Sequence, residues 1–320
     1  MHATAIAQPN IALIKYWGKR NISKNLPAVG SISITLSDLY TEVSVNFKPH
    51  LSEDELIVNG EQNFKMLPRI AKCVDNILGE KRSRVQVSSI SNFPIAAGLA
   101  SSASAFAATT KAVASAAELS YTNLELAKFA AKASGSAARS FYGGFVELKN
   151  IKDGIEVKSI CEASSWPLEV IIAITETRKK AVGSSLAMEI SRKTSPFYNS
   201  WVSQQNHDLG IARTAIAQKD FKKLAAITEH NCLKMHSVMW ASKPPIIFWN
   251  SATITCMQMV RKLQEEGLNV FFTIDAGPQV KAICLKEDSH LVRTKFEEIS
   301  GVKQVMQSSL GAAARLVKSS

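Results

Sequence analysis

The sequence predicts a globular protein of mixed α and β structure, with one large domain or two ordinary ones. Three observations support this prediction. The chain has 320 residues, 46% of them hydrophobic and 20% charged, which is typical of soluble proteins that bury a sizeable core. Some segments alternate apolar and polar residues, and others follow the helical period. No apolar run reaches the roughly 18 residues of a membrane span, so we expect no membrane association.

The first half of the chain predicts strands interleaved with helices. Apolar and polar residues alternate loosely up to Pro9 and then clearly over 31–35, 41–47, 55–61 and 84–90. Asn59-Gly60 lies at the end of the third of these segments and predicts a tight hairpin turn. Helices are predicted over 65–78, over the alanine-rich 101–119, and over 123–134. A strand resumes at 145–147.

The second half begins with a strand at 168–175, rich in valine and isoleucine. We expect the domain boundary beside it, which divides the chain into 1–166 and 167–320. Helical periodicity covers 201–240 with a break near Asp220, and a helix over 251–266 is closed by Gly267. A strand at 268–274, a return strand at 280–285 and a last helix at 289–299 follow.

The net charge of +11 predicts polyanionic partners, either nucleotides with small phosphorylated molecules or nucleic acid. The basic residues are dispersed and lack the interleaved aromatics of a single-strand binder, so we do not expect nucleic acid. A basic RNA-binding protein remains the alternative from another functional class. Five scattered cysteines predict reduced, mostly buried thiols. The N-terminus lacks a signal-peptide pattern, and we expect a cytoplasmic protein.

The segment 92–104 (NFPIAAGLASSAS) resembles a phosphate cradle between a strand and a helix. Small residues let the backbone approach an anion, and the free amides and dipole at a helix N-terminus favour negative charge. Ser101, Ser102 and Ser104 add hydroxyls. An ordinary serine cap on a core helix is an equally good local interpretation. The standard P-loop and dinucleotide-binding patterns are both absent.

Charged residues near breaks in the pattern are the remaining candidates. One cationic loop contains Lys15, Lys19 and Arg20. The local sequence alone favours a loop whose charged side chains are exposed to solvent. Arg139 lies in a stretch of small residues. Its guanidinium either binds a carboxylate or phosphate through two parallel hydrogen bonds or is a surface charge at a helix end. Asp275 lies where an apolar strand ends in a turn. It is either a catalytic carboxylate or an acceptor of hydrogen bonds from the amides of the turn.

Four motifs in order resemble the GHMP kinases, and most closely the mevalonate diphosphate decarboxylase family within them. They are 10–20 (NIALIKYWGKR), 96–103 (AAGLASSA), 134–140 (SGSAARS) and 275–278 (DAGP). Ile95 departs from the family pattern, which has threonine after the proline. The resemblance implies a two-domain α+β GHMP kinase-like fold. Its N-terminal domain would be ribosomal protein S5 domain 2-like and its C-terminal domain an α/β sandwich, with the active site in the cleft between them.

The resemblance also implies a reaction and a set of site residues. ATP and mevalonate 5-diphosphate would give isopentenyl diphosphate, ADP, phosphate and carbon dioxide, in isoprenoid biosynthesis. Asp275, Arg139 and Lys15 match catalytic positions, and Arg139 also matches the residue that holds the substrate carboxylate. Matches to the substrate site are Tyr16, Lys19, Ser136 and Ser184. Matches to the ATP-phosphate loop are Asn92, Gly98, Leu99, Ala100, Ser101, Ser102 and Ser104. Mg²⁺ is expected on the ATP phosphates, with no protein ligand assigned.

Two alternatives within the superfamily stay open from the sequence. One is a phosphomevalonate decarboxylase, which acts on the monophosphate. The other is a small-molecule kinase that phosphorylates without decarboxylating, against which Asp275 and Arg139 together argue. The family also suggests a homodimer.

Overall fold

A computed structural model of the chain describes residues 1–94, 99–178 and 180–317. The strands in these residues are β1 (His2–Ala7), β2 (Asn10–Ile14), β3 (Lys19–Asn21), β4 (Leu26–Pro27), β5 (Ser31–Thr35), β6 (Thr41–Phe47), β7 (Glu55–Val58), β8 (Glu61–Gln62), β9 (Val85–Ser91), β10 (Phe145–Ile151), β11 (Gly154–Cys161), β12 (Leu168–Ile174), β13 (Val270–Ile274), β14 (Val280–Leu285), β15 (Gln304–Ser309) and β16 (Arg315–Val317). The helices are α1 (Leu67–Leu78), α2 (Ser101–Ala116), α3 (Asn123–Ala133), α4 (Ser184–Thr194), α5 (Tyr198–Gln218), α6 (Phe221–Trp240), α7 (Ser251–Glu265) and α8 (Ser289–Glu297).

The first half builds a six-stranded sheet in the order β16-β1-β6-β9-β7-β8. Its predicted hairpin is confirmed, because Asn59 and Gly60 adopt φ values of 50° and 88°, as the two central residues of a type I′ turn require. Helices α1, α2 and α3 share an apolar core with this sheet. Helix α2 is rich in alanine and serine, and its small side chains let it lie close against β1 and β6.

The other two large sheets share a second apolar core. One has the order β11-β10-β5-β2 and the other the order β13-β14-β12-β15. Ile11 and Ile34 from the first sheet, Phe271 and Ile283 from the second, and Leu209 from α5 all belong to this core. The two halves of the chain are therefore joined by continuous apolar packing, which holds residues from both halves in one fixed arrangement.

The end of the described chain returns to its beginning. Strand β16 pairs antiparallel with β1, with Thr4 opposite Val317. The local sequence pattern did not predict this strand, nor β11 and β15. The domain boundary between 1–166 and 167–320 stays a prediction. Strand β16 belongs to the second segment and β1 to the first, so their pairing links the two segments.

Most predicted elements are confirmed. The break near Asp220 exists because Lys219 adopts φ 53° and the Asp220 side chain caps α6 by accepting from the Lys223 amide at 3.0 Å. Helix α2 ends at Ala116, three residues before the predicted end. The five cysteines are free thiols, four of them buried. Among the residues described, no helix combines the length and the apolar composition that crossing a bilayer requires.

Candidate active site

Asp275 lies directly after β13, between two buried lysines. Its Oδ1 accepts from Lys15 Nζ at 2.7 Å, and its Oδ2 lies 3.3 Å from Lys281 Nζ. Lys15 is 1% exposed and Lys281 is fully buried, whereas the Asp275 side chain is 23% exposed. Burial alone would raise the pKa of Asp275, but the two ammonium groups hold it well below its usual range. Asp275 is therefore an ionised carboxylate that faces accessible space.

Lys15 is held by contacts from both halves of the chain. Its Nζ also donates to the Ala12 carbonyl at 2.8 Å. Its backbone amide donates to Asn231 Oδ1 at 2.8 Å, and its carbonyl accepts from Gln205 Nε2 at 2.7 Å. Asn231 and Gln205 lie on α6 and α5, so these two helices fix the peptide that carries Lys15. The solvated interpretation of this lysine is wrong.

Lys180 is a further cation near Asp275. Its Nζ donates to Ser184 Oγ at 2.7 Å and to the Ala276 carbonyl at 2.9 Å. Burial lowers the pKa of Lys180 to about 8; attraction to Asp275 opposes this shift and repulsion from Lys281 adds to it. Neither Lys180 nor Lys281 was predicted as a site residue from the sequence. A lysine inside the apolar strand 280–285 was a signal that pointed to Lys281.

Arg139 lies in a short 3₁₀ turn, Ala137–Phe141, and is 2% exposed. Its guanidinium donates to Ser31 Oγ at 2.5 Å, to Ser33 Oγ at 2.9 Å and to Asn10 Oδ1 at 3.2 Å. These acceptors are all neutral, and none of the ion pairs found in the described residues includes Arg139. Burial lowers the pKa of Arg139 to about 10, and attraction to Asp275 opposes the shift. The group remains a cation at neutral pH, and the surface-charge interpretation is wrong.

Tyr16 places a phenol beside the small-residue stretch that precedes Arg139. Its buried hydroxyl has no hydrogen-bond partner in the structure. A Cβ at Gly135 would lie 2.6 Å from this oxygen, so glycine is needed there for the ring to fit. Burial raises the pKa of Tyr16 to about 12, and the phenol is a donor for which the described residues supply no acceptor. Ser136, on the same stretch, holds Asn10 Nδ2 at 3.0 Å through its carbonyl.

Lys19 lies at the N-terminus of α4, the helix that begins at Ser184. Lys19 Nζ donates to Ser185 Oγ at 3.2 Å. Burial lowers the pKa of Lys19, and repulsion from Arg69 adds to the shift, while Glu189 opposes it. No side chain caps α4, whose first residue is Ser184. Two lysines, Lys19 and Lys180, thus flank a helix N-terminus, which is a favourable arrangement for an anion.

The predicted ATP-phosphate loop is only partly described, because Gly98 and Ile95 lie outside the described residues. Asn92 braces a neighbouring loop, accepting from the Tyr40 amide at 2.8 Å and donating to the Asp38 carbonyl at 2.7 Å. Leu99 packs in the second apolar core. Ala100 has φ 55°, a conformation that is uncommon outside glycine, and no side chain caps α2 after it.

The serines of this loop have different surroundings. Ser104 is fully buried and shares a hydrogen bond of 2.8 Å with Thr41 Oγ. Ser102 Oγ lies 3.5 Å from Ser134 Oγ, which lies 3.3 Å from Ser136 Oγ. This row of hydroxyls leads from the start of α2 to the stretch that carries Arg139. The loop and the Asp275 cluster therefore belong to neighbouring parts of one region.

The described residues contain no group of three or more histidine, cysteine, aspartate or glutamate side chains that would hold a metal ion. The carboxylate of Asp275 already faces two lysines. The serine hydroxyls at the start of α2 are neutral oxygen ligands for a metal ion in the same region. This donor set fits a Mg²⁺ that arrives on nucleotide phosphates, because Mg²⁺ keeps several waters and binds largely through substrate phosphates.

Two family models match the chain and together span most of it. Residues 7–161 match the diphosphomevalonate decarboxylase-like N-terminal domain. Residues 170–317 match the mevalonate 5-diphosphate decarboxylase C-terminal domain. Diphosphomevalonate decarboxylase of Candida albicans is 32% identical, and the match covers 97% of each chain.

Solved structures agree with these matches over the whole length. Mevalonate diphosphate decarboxylase from Staphylococcus aureus superposes with a TM-score of 0.92 at 34% identity, covering 99% of this chain and 98% of that one. A structure described as MDDEF in complex with MVAPP, AMPPCP and magnesium also has a TM-score of 0.92, at 33% identity, covering 100% and 99% of the two chains. The two-domain GHMP kinase-like fold implied by the motifs is thereby confirmed.

Proposed function

The chain belongs to the mevalonate 5-diphosphate decarboxylase family, and we propose that it catalyses the ATP-dependent decarboxylation of mevalonate 5-diphosphate. The products are isopentenyl diphosphate, ADP, phosphate and carbon dioxide, and ATP with Mg²⁺ is the phosphoryl donor. This is a step of the mevalonate pathway to isoprenoids.

One observation carries the proposal: the ionised Asp275 lies among buried cations and within electrostatic range of Arg139, which has only neutral partners. A buried guanidinium without an anion is costly, and a planar carboxylate suits its fork. We assign the substrate carboxylate to Arg139 and the tertiary hydroxyl to Asp275. The neutral hydroxyl and amide acceptors orient the guanidinium of Arg139 before the substrate arrives.

The diphosphate end of the substrate fits the cations and donors around α4. Lys19 and Ser184 approach it from the two halves of the chain, and Tyr16 and Ser136 approach it from the side of Arg139. The unpartnered hydroxyl of Tyr16 supplies a donor to a phosphate or carboxylate oxygen. Burial keeps that phenol protonated, as a donor must be.

The nucleotide end fits the start of α2. We assign the ATP phosphates to the loop that includes Gly98 and to the start of α2, where the backbone amides of 100–102 and the hydroxyls of Ser101 and Ser102 lie at the positive end of the helix dipole. Leu99 anchors this segment in the second apolar core, while Asn92 and Ser104 fix the chain on either side of it. Mg²⁺ bound with the nucleotide would neutralise charge that develops during phosphoryl transfer, and Lys15 and Lys180 add cations from the protein.

Asp275 acts in this scheme by orientation and charge. A carboxylate stabilised by two lysines is a weak proton acceptor, and a loose phosphoryl-transfer transition state needs little help from a base. Asp275 instead accepts the hydrogen bond of the tertiary hydroxyl and aligns its oxygen, while the hydroxyl proton passes to an oxygen of the transferred phosphoryl group and leaves with it as hydrogen phosphate. After transfer, it stabilises positive character at the tertiary carbon as the phosphate leaves. Arg139 meanwhile holds the carboxylate in line for loss of carbon dioxide.

A coupled assay tests the function against its two relatives. Purified protein with ATP and Mg²⁺ is supplied with mevalonate, its 5-phosphate or its 5-diphosphate, while ADP, phosphate and carbon dioxide are measured. We expect equal amounts of all three products from the diphosphate. Faster turnover of the monophosphate would identify a phosphomevalonate decarboxylase, and a stable phosphorylated product without carbon dioxide would identify a kinase.

We further propose a homodimer that works in the cytoplasm, on the basis of the family resemblance. Light scattering after gel filtration measures the mass of the particle, and we expect twice the mass of one chain. A mass equal to one chain would reject the dimer. Fractionation of the producing cells tests the location.

A further inference from the structure

Lys281 is a buried cation in a strand where its neighbours are apolar. Strand β14 places it between Val280 and Ala282, and all three residues are 0% exposed. A buried ammonium carries a large desolvation cost, so an apolar side chain at this position would serve packing better. Its ion pair with Asp275 Oδ2, at 3.3 Å, gives the lysine a reason to be there.

The register of the hairpin explains how Lys281 reaches this carboxylate. Strands β13 and β14 are antiparallel, with Thr273 opposite Lys281 and Ile274 opposite Val280. The turn that joins them contains Asp275, whose carbonyl accepts from the Gly277 amide at 2.7 Å. Lys281 therefore contacts Asp275 from within the same hairpin, while Lys15 contacts the other carboxylate oxygen from the N-terminal half.

We propose that Lys281 is a positioning residue for the decarboxylation reaction, which fixes the carboxylate of Asp275 so that Oδ1 faces Lys15 and the reacting hydroxyl. The inference rests on the proposed function. It concerns positioning because Lys281 is fully buried, whereas Asp275 is the member of the pair that reaches accessible space. Without Lys281, the Asp275 side chain is free to turn its carboxylate about the bond to Cβ.

Other cations near Asp275 keep its carboxylate ionised even without Lys281. The contribution of Lys281 is therefore to the orientation of this carboxylate, not to its ionisation. The groups that interact with it electrostatically are Lys15, Lys180, Lys281, Arg139, His236 and Cys232. Burial lowers the pKa of His236 to about 3 and raises that of the Cys232 thiol, so these two are neutral. Removing Lys281 leaves three cations, and Asp275 stays ionised at neutral pH.

Lys281→Met is the principal test. We expect kcat to fall about 10- to 100-fold while KM for each substrate changes less than about threefold, because the interaction acts on the reacting geometry. The unfolding temperature should be unchanged or higher, since methionine removes a buried charge and Asp275 keeps Lys15 as a partner. Lys281→Arg, which retains the cation, should recover part of kcat.

Two comparisons separate positioning from other roles. Lys295→Met breaks a surface ion pair of 2.8 Å between Lys295, on α8, and Glu298, the residue that follows this helix, and its kcat should stay within about twofold of wild type. In an Asp275→Asn background, Lys281→Met should lower kcat no further, because its effect passes through Asp275. A further loss in the double variant would show that Lys281 acts on the substrate itself and would overturn the proposal.

A crystal structure of Lys281→Met tests positioning independently of turnover. We expect the Asp275 carboxylate to rotate and the contact between Oδ1 and Lys15 Nζ to lengthen from 2.7 Å. An unmoved carboxylate, a kcat within twofold of wild type, or loss of the fold would each reject the proposal. If wild type released no carbon dioxide, the proposed function would fail, and the crystal structure would still decide whether Lys281 orients Asp275.

Discussion

Two buried clusters of charge in this protein have opposite compositions. In the first, Arg82 lies between Asp54 and Asp75 and is 4% exposed. Its guanidinium donates to both oxygens of Asp54, at 2.9 and 2.6 Å, and to Asp75 Oδ1 at 2.8 Å. Further donors reach the carbonyls of Ser83 and Ala71. One cation thus meets two carboxylates, and the protein satisfies the guanidinium on all sides.

The Asp275 cluster reverses that ratio. One carboxylate meets Lys15 and Lys281 directly, and Lys180 and Arg139 lie within electrostatic range. The cations exceed the carboxylates, and Arg139 has only hydroxyl and amide acceptors. The central cations of both clusters are almost excluded from solvent, so solvent exposure alone does not distinguish the clusters. The difference teaches that a cluster whose cation is fully paired with carboxylates braces the fold, whereas an excess of buried cations indicates a site for a polyanionic substrate.

The largest expected effect on turnover comes from Asp275→Asn, which keeps the shape but removes the charge. We expect kcat to fall on the order of 10³-fold, because the hydroxyl loses its orienting carboxylate and the developing positive charge loses its counterion. Release of ADP and carbon dioxide measures the change. Asp75→Asn is the matched control in the Arg82 cluster and should retain turnover. Near-normal activity in Asp275→Asn would mean that another carboxylate acts.

Arg139→Lys should have the next largest effect. Lysine keeps the charge but cannot form the two parallel hydrogen bonds of a guanidinium with a carboxylate. Loss of one charge-assisted bond of about 2–3 kcal/mol corresponds to roughly 30- to 160-fold in kcat/KM for the substrate. Steady-state kinetics measure it. Arg82→Lys, the equivalent change in the other cluster, should leave kcat/KM unaltered; equal kinetic losses in both variants would erase the distinction.

Substitution of Lys180 should have a smaller effect on kcat/KM, and this effect should depend on pH. Its pKa is about 8 in the free protein, so it loses its charge, and its attraction for an anion, as the pH rises through that value. We expect kcat/KM to decline above about pH 8. Lys180→Arg stays protonated and should move the decline to higher pH. A pH profile unchanged by this substitution would assign the decline to another group.

Arg82→Met should have the smallest effect on turnover and a large one on stability. It leaves the two aspartates without their cation, and removing one partner of a buried ion pair costs about 3–5 kcal/mol. Urea unfolding measures the loss, while kcat should stay within about twofold of wild type. A variant that loses activity without losing stability would place Arg82 in the site.

The same cluster should also respond to acid. Arg82 and the Val85 amide lower the pKa of Asp54 against the effect of burial. A lowered pKa contributes stability above the unfolded value near 4, and this contribution is lost as the pH falls through the folded pKa. Wild type should therefore lose more stability than Arg82→Met between about pH 5 and pH 2. Thermal unfolding across this range measures the difference.

Much of the fold followed from local patterns. The hairpin at Asn59-Gly60, the break at Asp220 and the end of α7 before Gly267 were all predicted, because turns and helix ends depend on neighbouring residues. The motifs also led to Asp275, Lys15 and Arg139 as candidates. The pairing of β16 with β1 was missed, because the alternation of three residues is too short to predict a strand.

The sequence by itself determined the local elements, the family and the chemical types of the candidate side chains. Only the tertiary structure decided which charges are buried and which groups they meet. Lys15 and Asp275 are 260 positions apart, and their contact depends on α5 and α6 fixing the Lys15 peptide. Lys180 also reaches the cluster from a distant part of the sequence, through its bond to the Ala276 carbonyl, whereas Lys281 lies in the same hairpin as Asp275. Burial and electrostatic balance are properties of long-range packing, so the local pattern around Lys15 could not show that this lysine is buried against a carboxylate.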